Sequence, residues 1–233
     1  MVNRARSVWV TGAANGLGLA LVQQLLEEGH RVAASGRECE ALDTLGERYG
    51  TQLLRLPGQL QALDQVEAAS KLLLGNWGSL DCLIVNAGTG EYVADAIPDA
   101  ELFEAIAASN LLASEQCLAS ALPLLTKGEA PQVMAILNRY SASQLFAPTQ
   151  VSSGFNSTAQ WFREQRQVLD QLQISLTVVA PQSLKTPVTP AQAMPEMWTA
   201  QSAAEELLRR LPLREPELVL ETLDTSSLWP LPR

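Results

Sequence analysis

A glycine-rich turn near the start of the chain has the residue types that bind phosphate groups. It reads TGAANGLG over residues 11–18, after an apolar run at residues 7–10 and before a helical pattern of leucines. In such a turn the backbone N–H groups and the positive end of a helix dipole can reach a pyrophosphate, because glycines leave no side chain in the way. The sequence therefore predicts a dinucleotide-binding site. Its candidate residues in the turn are Gly12, Ala14, Asn15, Gly16, Leu17 and Gly18.

The residues after the predicted second strand bear on which dinucleotide binds. An acidic residue there would hydrogen-bond the ribose hydroxyls of NAD, but the sequence reads Ala34-Ser35-Gly36-Arg37. The guanidinium of Arg37 can pair bidentately with a 2'-phosphate. NADP(H) is therefore favoured over NAD(H). The alternative is that Arg37 is a solvated residue at the start of a helix.

Apolar runs and helical patterns alternate along the chain. The strands and helices that they predict must position the glycine turn. Strands are predicted at residues 7–10, 31–35, 52–56, 80–85, 133–137, 174–180 and 217–223. Helices are predicted from residue 19 and at 38–49, 61–74 (with Leu63, Val66, Ala69 and Leu73 on one face), 98–125, 152–172 and 199–211. This alternation predicts an α/β, doubly wound Rossmann fold with a seven-stranded, mostly parallel sheet and helices on both faces. We expect a single domain over residues 1–233.

Composition narrows the class of partner. The net charge of -9 argues against nucleic acid, because neutralising phosphates requires a basic face. The three cysteines are scattered and His30 is the only histidine, so we expect no metal site and a reducing compartment. The apolar stretch that stops at Gly12 is too short for a signal peptide or a membrane span. These features predict a cytoplasmic protein with a small-molecule ligand, and His30, in a helix-to-strand turn, is interpreted as structural.

Further motifs come after the turn in a recognisable order. The segment DCLIVNAG covers residues 81–88, Asn110 lies in the long predicted helix, and Pro181 and Thr186 come after a late apolar strand. From residue 7 to about residue 188, this order, together with the G-x-x-x-G-x-G turn, resembles the short-chain dehydrogenase/reductase family. The resemblance implies a Rossmann fold and a nicotinamide cofactor.

The resemblance also assigns residues to the two ends of the cofactor. Thr186 would reach toward the nicotinamide carboxamide. Pro181 is followed by Gln182 where the family usually has glycine, which adds a side chain near the nicotinamide. Gln59 stands near the position of the aspartate with which the family contacts adenine. The residues implied for the adenosine half are Asn86, Ala87, Gly88 and Gln59.

The residues with which the family reduces carbonyls are replaced in this chain. The family uses a tyrosine as acid, a lysine four residues later that lowers its pKa, and a serine on the fifth strand. Here the serine position holds Asn138, the tyrosine position Val151 and the lysine position Phe155. Neither Val151 nor Phe155 can donate a proton, and the Asn138 amide can hydrogen-bond a carbonyl oxygen without being an acid.

Tyr140 offers an alternative match. YSASQ at residues 140–144 resembles the family's tyrosine segment with glutamine in place of lysine. That match would place Pro148 inside a helix at a cost of ~3 kcal/mol. It would also put Pro181 41 residues after the tyrosine, whereas the family's spacing is near the 30 residues that separate Val151 from Pro181. We prefer the Val151 alignment and keep Tyr140 as a possible substitute acid.

These residues support three hypotheses for function. The first is an NADP(H)-binding member of the family with a degenerate catalytic site, acting as a binding or scaffold protein or as a non-redox enzyme such as a cyclase. The second is an NADP-dependent carbonyl reductase in which Tyr140 replaces the missing acid, and the third is a subunit that has lost cofactor affinity. In the family, the asparagine at the position of Asn110 holds a water that relays protons to the lysine. Because that lysine is absent here, we assign Asn110 to local backbone structure and keep catalysis as the alternative. The catalytic candidates are Asn138, Tyr140 and Asn110.

Two further features concern ligand access and assembly. Residues 185–199 correspond to the segment that covers the substrate in the family, although packing onto the body also explains the methionines and tryptophan in it. The helices predicted at 98–125 and 152–172 are apolar around much of their circumference, and the adjacent Trp161 and Phe162 point to different faces. This pattern predicts a homodimer or homotetramer assembled through these two helices, as the resemblance also implies.

Overall fold

A seven-stranded parallel sheet forms the centre of the molecule. The computed structural model describes residues 4–56, 58, 60–86, 100–137, 154–181 and 199–220. The strands are β1 (Ser7–Thr11), β2 (Arg31–Ser35), β3 (Leu53–Leu56), β4 (Cys82–Val85), β5 (Gln132–Ile136), β6 (Ser175–Pro181) and β7 (Glu217–Leu220). They lie in the order β3-β2-β1-β4-β5-β6-β7, and all six neighbouring pairs are parallel. The predicted α/β Rossmann fold is confirmed.

Within the described part of the chain, six helices connect the strands. They are α1 (Gly16–Glu27), α2 (Glu40–Tyr49), α3 (Leu63–Trp77), α4 (Ala100–Leu125), α5 (Gly154–Gln171) and α6 (Ala200–Arg210). Short 3-10 turns at Gly50–Gln52 and Leu211–Leu213 lead into β3 and toward β7. Each helix therefore serves as a crossover between parallel strands, which is what the alternation of patterns predicted.

The helices bury both faces of the sheet. Leu83 and Val85 of β4 point to a core shared with α3, α4 and α5, whereas Cys82 and Ile84 point to a second core shared with α1, α2 and α6. This is why the strands read as continuous apolar runs rather than as alternating ones. On α3, Val66, Ala69 and Leu73 are buried as predicted. Leu63 is 55% exposed, contrary to prediction, because it is the first residue of the helix and precedes the turns that pack on the sheet.

Asp81 ties together the amino ends of the central strands. Its Oδ2 accepts hydrogen bonds from the backbone N–H (2.8 Å) and the hydroxyl (3.0 Å) of Ser7, and its Oδ1 accepts one from the N–H of Glu129 (2.7 Å). The guanidinium of Arg6 donates to the carbonyl oxygens of Asp81 (2.8 Å) and Ala130 (3.2 Å). The start of β1, the start of β4 and the turn before β5 are thereby fixed at one edge of the sheet.

His30 belongs to the same edge and is a structural residue. It precedes β2, is 5% exposed, and accepts a hydrogen bond at Nδ1 from the N–H of Arg6 (3.1 Å). Burial lowers the pKa of His30 from its usual 6.5, and the charge of Arg6 lowers it further, while the nearby Glu28 carboxylate opposes both effects. The interpretation of His30 as structural fits this position, at the opposite edge from the glycine turn.

We expect His30 to make the fold less stable in mild acid. Because its pKa is lower in the folded chain than in the unfolded chain, the unfolded chain binds the proton more readily, and stability present above pH 6.5 falls as the pH drops below that value. Urea unfolding at pH 7.5 and 5.5 should show a larger loss of unfolding free energy in the wild type than in His30→Gln, whose amide can still accept from Arg6. Equal losses in the two proteins would contradict this account.

Candidate functional site

The glycine turn lies at the carboxyl end of β1, between that strand and α1. Gly12 has φ 63° and Gly16 has φ 50°, in the left-handed region that favours glycine. These two positions let the chain reverse from the strand into the helix within five residues. The sequence motif thus has the conformation that its glycines predicted.

Gly18 lets α1 approach β1 and β4 closely. A Cβ atom built on it would overlap the carbonyl oxygen of Gly12 and lie 2.7 Å from Nδ2 of Asn86. Asn86, directly after β4, donates from Nδ2 to that same carbonyl (3.3 Å), and its N–H donates to the Thr11 hydroxyl (2.9 Å). The turn is therefore held against the ends of two neighbouring strands.

The first turn of α1 presents unpaired backbone donors. Asn15 is the N-cap residue in an extended conformation, its side chain makes no capping hydrogen bond, and this fully described turn contains no acidic residue. The N–H of Leu19 is the first to bond within the helix, to the carbonyl of Asn15 (3.2 Å). The preceding N–H groups of the turn have no intrahelical acceptor, and they lie at the positive end of the helix dipole. This arrangement fits a phosphate group.

The end of β2 packs beside the turn. The Ala13 N–H donates to the carbonyl of Ser35 (2.9 Å), whose hydroxyl accepts from the buried indole of Trp9 (2.9 Å). Gly36 is the next residue, and a Cβ on it would lie 2.8 Å from the backbone nitrogen of Ala14. Arg37, one residue further on, is exposed. Arg37, the candidate for the 2'-phosphate, therefore directly follows a residue that is in close contact with the glycine turn.

Sequence reasoning missed two residues of this region. The thiol of Cys39 donates to the carbonyl of Ala14 (3.3 Å) and lies at the N-cap of α2. A Cβ on Gly58 would overlap the carbonyl oxygen of Gly36 and lie 2.9 Å from the backbone nitrogen of Arg37. Gly58 was visible in the sequence as a glycine just after a predicted strand, whereas nothing in the pattern pointed to Cys39.

Several predicted site residues lie outside the described part of the chain. Among them are the catalytic candidates Asn138 and Tyr140 and the position of Val151, and Phe155 lies in α5 where only the backbone is described. Pro181 ends β6 in register with Leu220 of β7. The predicted cofactor residues outside the described ranges are Gln59, Ala87, Gly88 and Thr186, together with nearly all of the 185–199 segment.

Asn110 is described and lies within α4. It is 7% exposed, and its carbonyl accepts a hydrogen bond from the Ser114 hydroxyl (2.8 Å) one turn later. That bond is a local backbone feature of the helix. The role of its side chain remains a prediction.

Two of the three cysteines are buried thiols. Burial raises the pKa of Cys82 to about 11 and that of Cys117 to about 12, so both remain protonated at neutral pH. Within the described residues, no group of three metal-ligating side chains comes together. No described helix is long and apolar enough to cross a membrane.

The strand order and the turn together define a class of protein. Parallel strands in the order 3-2-1-4-5-6, with a glycine turn where the order reverses between β1 and β4, are the features of the dinucleotide-binding Rossmann fold. The chain belongs to the short-chain dehydrogenase family, whose family model matches residues 6–196.

Named relatives support this assignment. Over 141 residues the chain is 30% identical to a 3-phenylpropionate-dihydrodiol/cinnamic acid-dihydrodiol dehydrogenase of Escherichia coli O157:H7, covering 57% of this chain and 51% of that protein. Over 134 residues it is 31% identical to a cis-1,2-dihydrobenzene-1,2-diol dehydrogenase of Pseudomonas putida, covering 55% of this chain and 49% of that protein. The matched region thus spans about half the length of these curated relatives.

Solved structures share the fold. A short-chain dehydrogenase of Burkholderia cenocepacia J2315, in complex with NADP, superposes with a TM-score of 0.71 at 22% identity, covering 94% of this chain and 89% of that chain. A short-chain dehydrogenase of Streptomyces avermitilis gives a TM-score of 0.69 at 17% identity, covering 97% of this chain and 90% of that chain.

Proposed function

We propose that this chain binds NADP(H) at the turn between β1 and α1 and that its catalytic site is degenerate. The observation that carries the proposal is the uncapped, acid-free first turn of α1, packed at Gly18 so closely that no side chain fits. The N–H groups of this turn would hold the pyrophosphate and Arg37 the 2'-phosphate. When bound, the cofactor supplies hydride chemistry. The adenosine half would lie beside Asn86, Ala87, Gly88 and Gln59, and the nicotinamide beside Pro181 and Thr186.

The missing acid and lysine limit the reactions that the protein could catalyse with a bound cofactor. Val151 and Phe155 cannot protonate a substrate oxygen, and the Asn138 amide can only orient it. General acid catalysis contributes typically ~10²- to 10⁴-fold, so its absence slows ordinary carbonyl reduction without abolishing cofactor binding. We therefore propose a cytoplasmic, single-domain binding or scaffold protein, or a non-redox enzyme such as a cyclase, with residues 185–199 covering its small-molecule ligand.

One paired experiment tests this proposal. NADPH binding is measured by calorimetric titration, and NADPH oxidation is monitored in parallel with ketones, aldehydes and enones. The reverse reaction is assayed with NADP⁺ and cis-dihydrodiols, since the E. coli and P. putida relatives are dihydrodiol dehydrogenases. Tight binding without turnover supports the proposal, whereas absence of binding would leave only a subunit that has lost its cofactor.

A second candidate is an oxidoreductase in which Tyr140 supplies the proton. The dehydrogenase relatives favour it, as does the position of Tyr140 shortly after β5 in the sequence. Turnover of a dihydrodiol that Tyr140→Phe removes, with cofactor affinity unchanged, would establish this alternative.

Arg37 is expected to set the preference between the cofactors. Its guanidinium can form charge-assisted hydrogen bonds to the 2'-phosphate that contribute about 1.5–3 kcal/mol, or roughly 10- to 150-fold in affinity. Calorimetric titration should therefore show that the wild type binds NADPH more tightly than NADH and that Arg37→Ala binds both alike. Arg37→Lys, which keeps the charge but loses the planar fork, should fall between them. Equal affinity of the wild type for both cofactors would disprove the assignment.

The outer faces of α4 and α5 are expected to form a homo-oligomer. Leu112 on α4 is 42% exposed and Val168 on α5 is 48% exposed, so each helix keeps an apolar residue on its outer side. Trp161 is not a suitable probe of this surface, because it is half-buried against the core and stacks edge-to-face on Phe162 (4.8 Å between centroids).

Leu112→Glu should convert the oligomer to a monomer at micromolar concentration, as measured by light scattering, because burying the new charge is unfavourable. Leu72→Glu, at a leucine on α3 that is also 42% exposed, is the matched control and should leave the assembly intact. A wild-type monomer would overturn the expectation.

A further inference from the structure

A half-open cavity lies at the amino edge of the sheet, opposite the glycine turn. It is bordered by the chain entering β1, the turn before β5 and the turn before β7, and its volume is about 250 Å³. At about 30 Å³ for each water molecule, it has room for about eight waters or a small tetrahedral ion with its hydration. Its lining includes Arg6, Asp81, Gln132 and Arg214. Nothing in the proposed cofactor chemistry uses this edge.

Two arginines in the cavity bond to neutral oxygen atoms. Arg6 donates to the carbonyls of Asp81 (2.8 Å) and Ala130 (3.2 Å). Arg214 donates to the hydroxyl of Ser175 (2.8 Å) and also to the carbonyl of Ala130. Among the ion pairs of the described residues, none includes either arginine. Each guanidinium has five N–H donors, so donors remain for an anion between them.

The acidic residues of the cavity are already engaged. The two carboxylate oxygens of Asp81 accept hydrogen bonds from Ser7 and from the N–H of Glu129. Glu129 forms its ion pair with Arg4, which also lines the cavity. The described lining thus carries three arginines against two carboxylates, a local positive excess in a chain whose net charge is -9. Such an excess attracts an anion.

Gln132 adds a hydrogen-bond acceptor that lacks a donor. Its side chain is 3% exposed, its Nε2 faces the Cys82 sulfur at 3.8 Å, and its buried Oε1 accepts no hydrogen bond. A buried acceptor without a donor is costly, so a ligand at this place that carries an O–H group is favoured. The guanidinium groups donate hydrogen bonds and therefore bind anionic oxygens. The amide oxygen accepts one, so the same ligand must also carry a proton.

We propose that this cavity binds hydrogen phosphate, a tetrahedral oxyanion that keeps a proton at neutral pH. Its unprotonated oxygens accept from Arg6 and Arg214, and its P–OH group donates to Oε1 of Gln132 after the Gln132 amide turns toward the cavity. Sulfate has the same shape and charge but no proton. It can accept hydrogen bonds from Arg6 and Arg214 but cannot donate one to Gln132. A phosphate monoester such as methyl phosphate, with a second pKa near 6, is mostly unprotonated at pH 7.5 and resembles sulfate.

Binding is tested on the wild-type protein at pH 7.5 and constant ionic strength, by calorimetry with phosphate, sulfate and methyl phosphate. Phosphate should bind at least tenfold more tightly than the other two anions. Its binding should shift the backbone amide resonances of Gln132 and Arg214. Equal binding of phosphate and sulfate, or shifts confined to Gly16–Gly18, would overturn the proposal, because the second result would place the ion at the glycine turn.

Two variants separate the parts of the site. Gln132→Met keeps the side-chain volume and removes the acceptor, so phosphate should lose its advantage over sulfate while the thermal midpoint rises. Arg214→Gln should weaken both anions, and Arg209→Gln, an exposed arginine of α6 outside the cavity, is the matched control and should bind as the wild type does. If Arg214→Gln fails to fold, Gln132→Met decides alone, since an unchanged phosphate preference in that variant contradicts the proposed hydrogen bond.

Discussion

Gly18→Ala is expected to abolish cofactor binding and to destabilise the fold by about 1–3 kcal/mol, because it inserts an atom where none fits. The added methyl group would overlap the carbonyl oxygen of Gly12 and press on the Asn86 amide. Since the overlapping atom is backbone, it cannot move aside as a flexible side chain would. Either α1 tilts away from the sheet or the turn deforms, and both changes misplace the N–H groups of the first helical turn.

Urea unfolding and NADPH titration of Gly18→Ala measure the two effects separately. Gly46→Ala is the matched control, because a Cβ at that position in α2 meets nothing within 4 Å. Replacing a helical glycine by alanine without a clash should stabilise the protein by roughly 0.5–1 kcal/mol and leave NADPH binding unchanged. If Gly18→Ala binds NADPH like the wild type, the close packing of the turn is irrelevant to the cofactor.

Restoring a proton donor is expected to have the largest effect on activity. Val151→Tyr combined with Phe155→Lys should raise the residual rate of NADPH-dependent carbonyl reduction by about 10²-fold or more, the usual contribution of a general acid. Each change alone should do much less, since the lysine lowers the pKa of the tyrosine and has no acid to act on without it. Steady-state kinetics with a panel of ketones provides the measurement.

A phenylalanine control distinguishes chemistry from packing in this experiment. Val151→Phe with Phe155→Lys adds the same bulk without a hydroxyl group and should leave the rate at the wild-type level. A wild type that already turns over common ketones at tens per second, a typical enzyme rate, would show that the site is not degenerate. In that case Tyr140→Phe becomes the informative variant.

The fold was predictable because burial on both sides of the sheet leaves an unambiguous pattern. β2 has the predicted bounds of residues 31–35, and the ends of β1, β3, β4, β5 and β6 differ from prediction by two residues at most. β7 starts at the predicted residue 217 and is described to Leu220, whereas its predicted end was residue 223. α3 continues to Trp77, three residues beyond prediction, and ends where Gly78 adopts a left-handed conformation. Helix ends depend on such single-residue caps, which the apolar periodicity does not report.

Local patterns predicted the candidate site only where neighbours in sequence are neighbours in space, and Asn86 was found through the family resemblance. The glycine turn is local, and its conformation results from glycines at positions 12 and 16. The contacts of Cys39 with Ala14 and of Gly58 with Gly36 depend on the packing of separate strands, which no local pattern encodes. The cavity at the amino edge of the sheet was even less predictable from local pattern, since Gln132 and Arg214 are far apart in the chain and both line it only because of the strand order.

The strand order also has a consequence for how the chain assembles. β3-β2-β1 and β4-β5-β6-β7 each pair strands that are consecutive in sequence, whereas β1 and β4 pair across the longest separation in the sheet, from Val8 to Cys82. Closing that loop of about 74 residues costs entropy that grows with the logarithm of its length, so this pairing has the largest closure cost of the six, by a few tenths of a kcal/mol. The glycine turn spans this same junction through the bond from Asn86 to Gly12. A dinucleotide bound there would connect the two halves of the sheet and make their separation less favourable as its concentration rises.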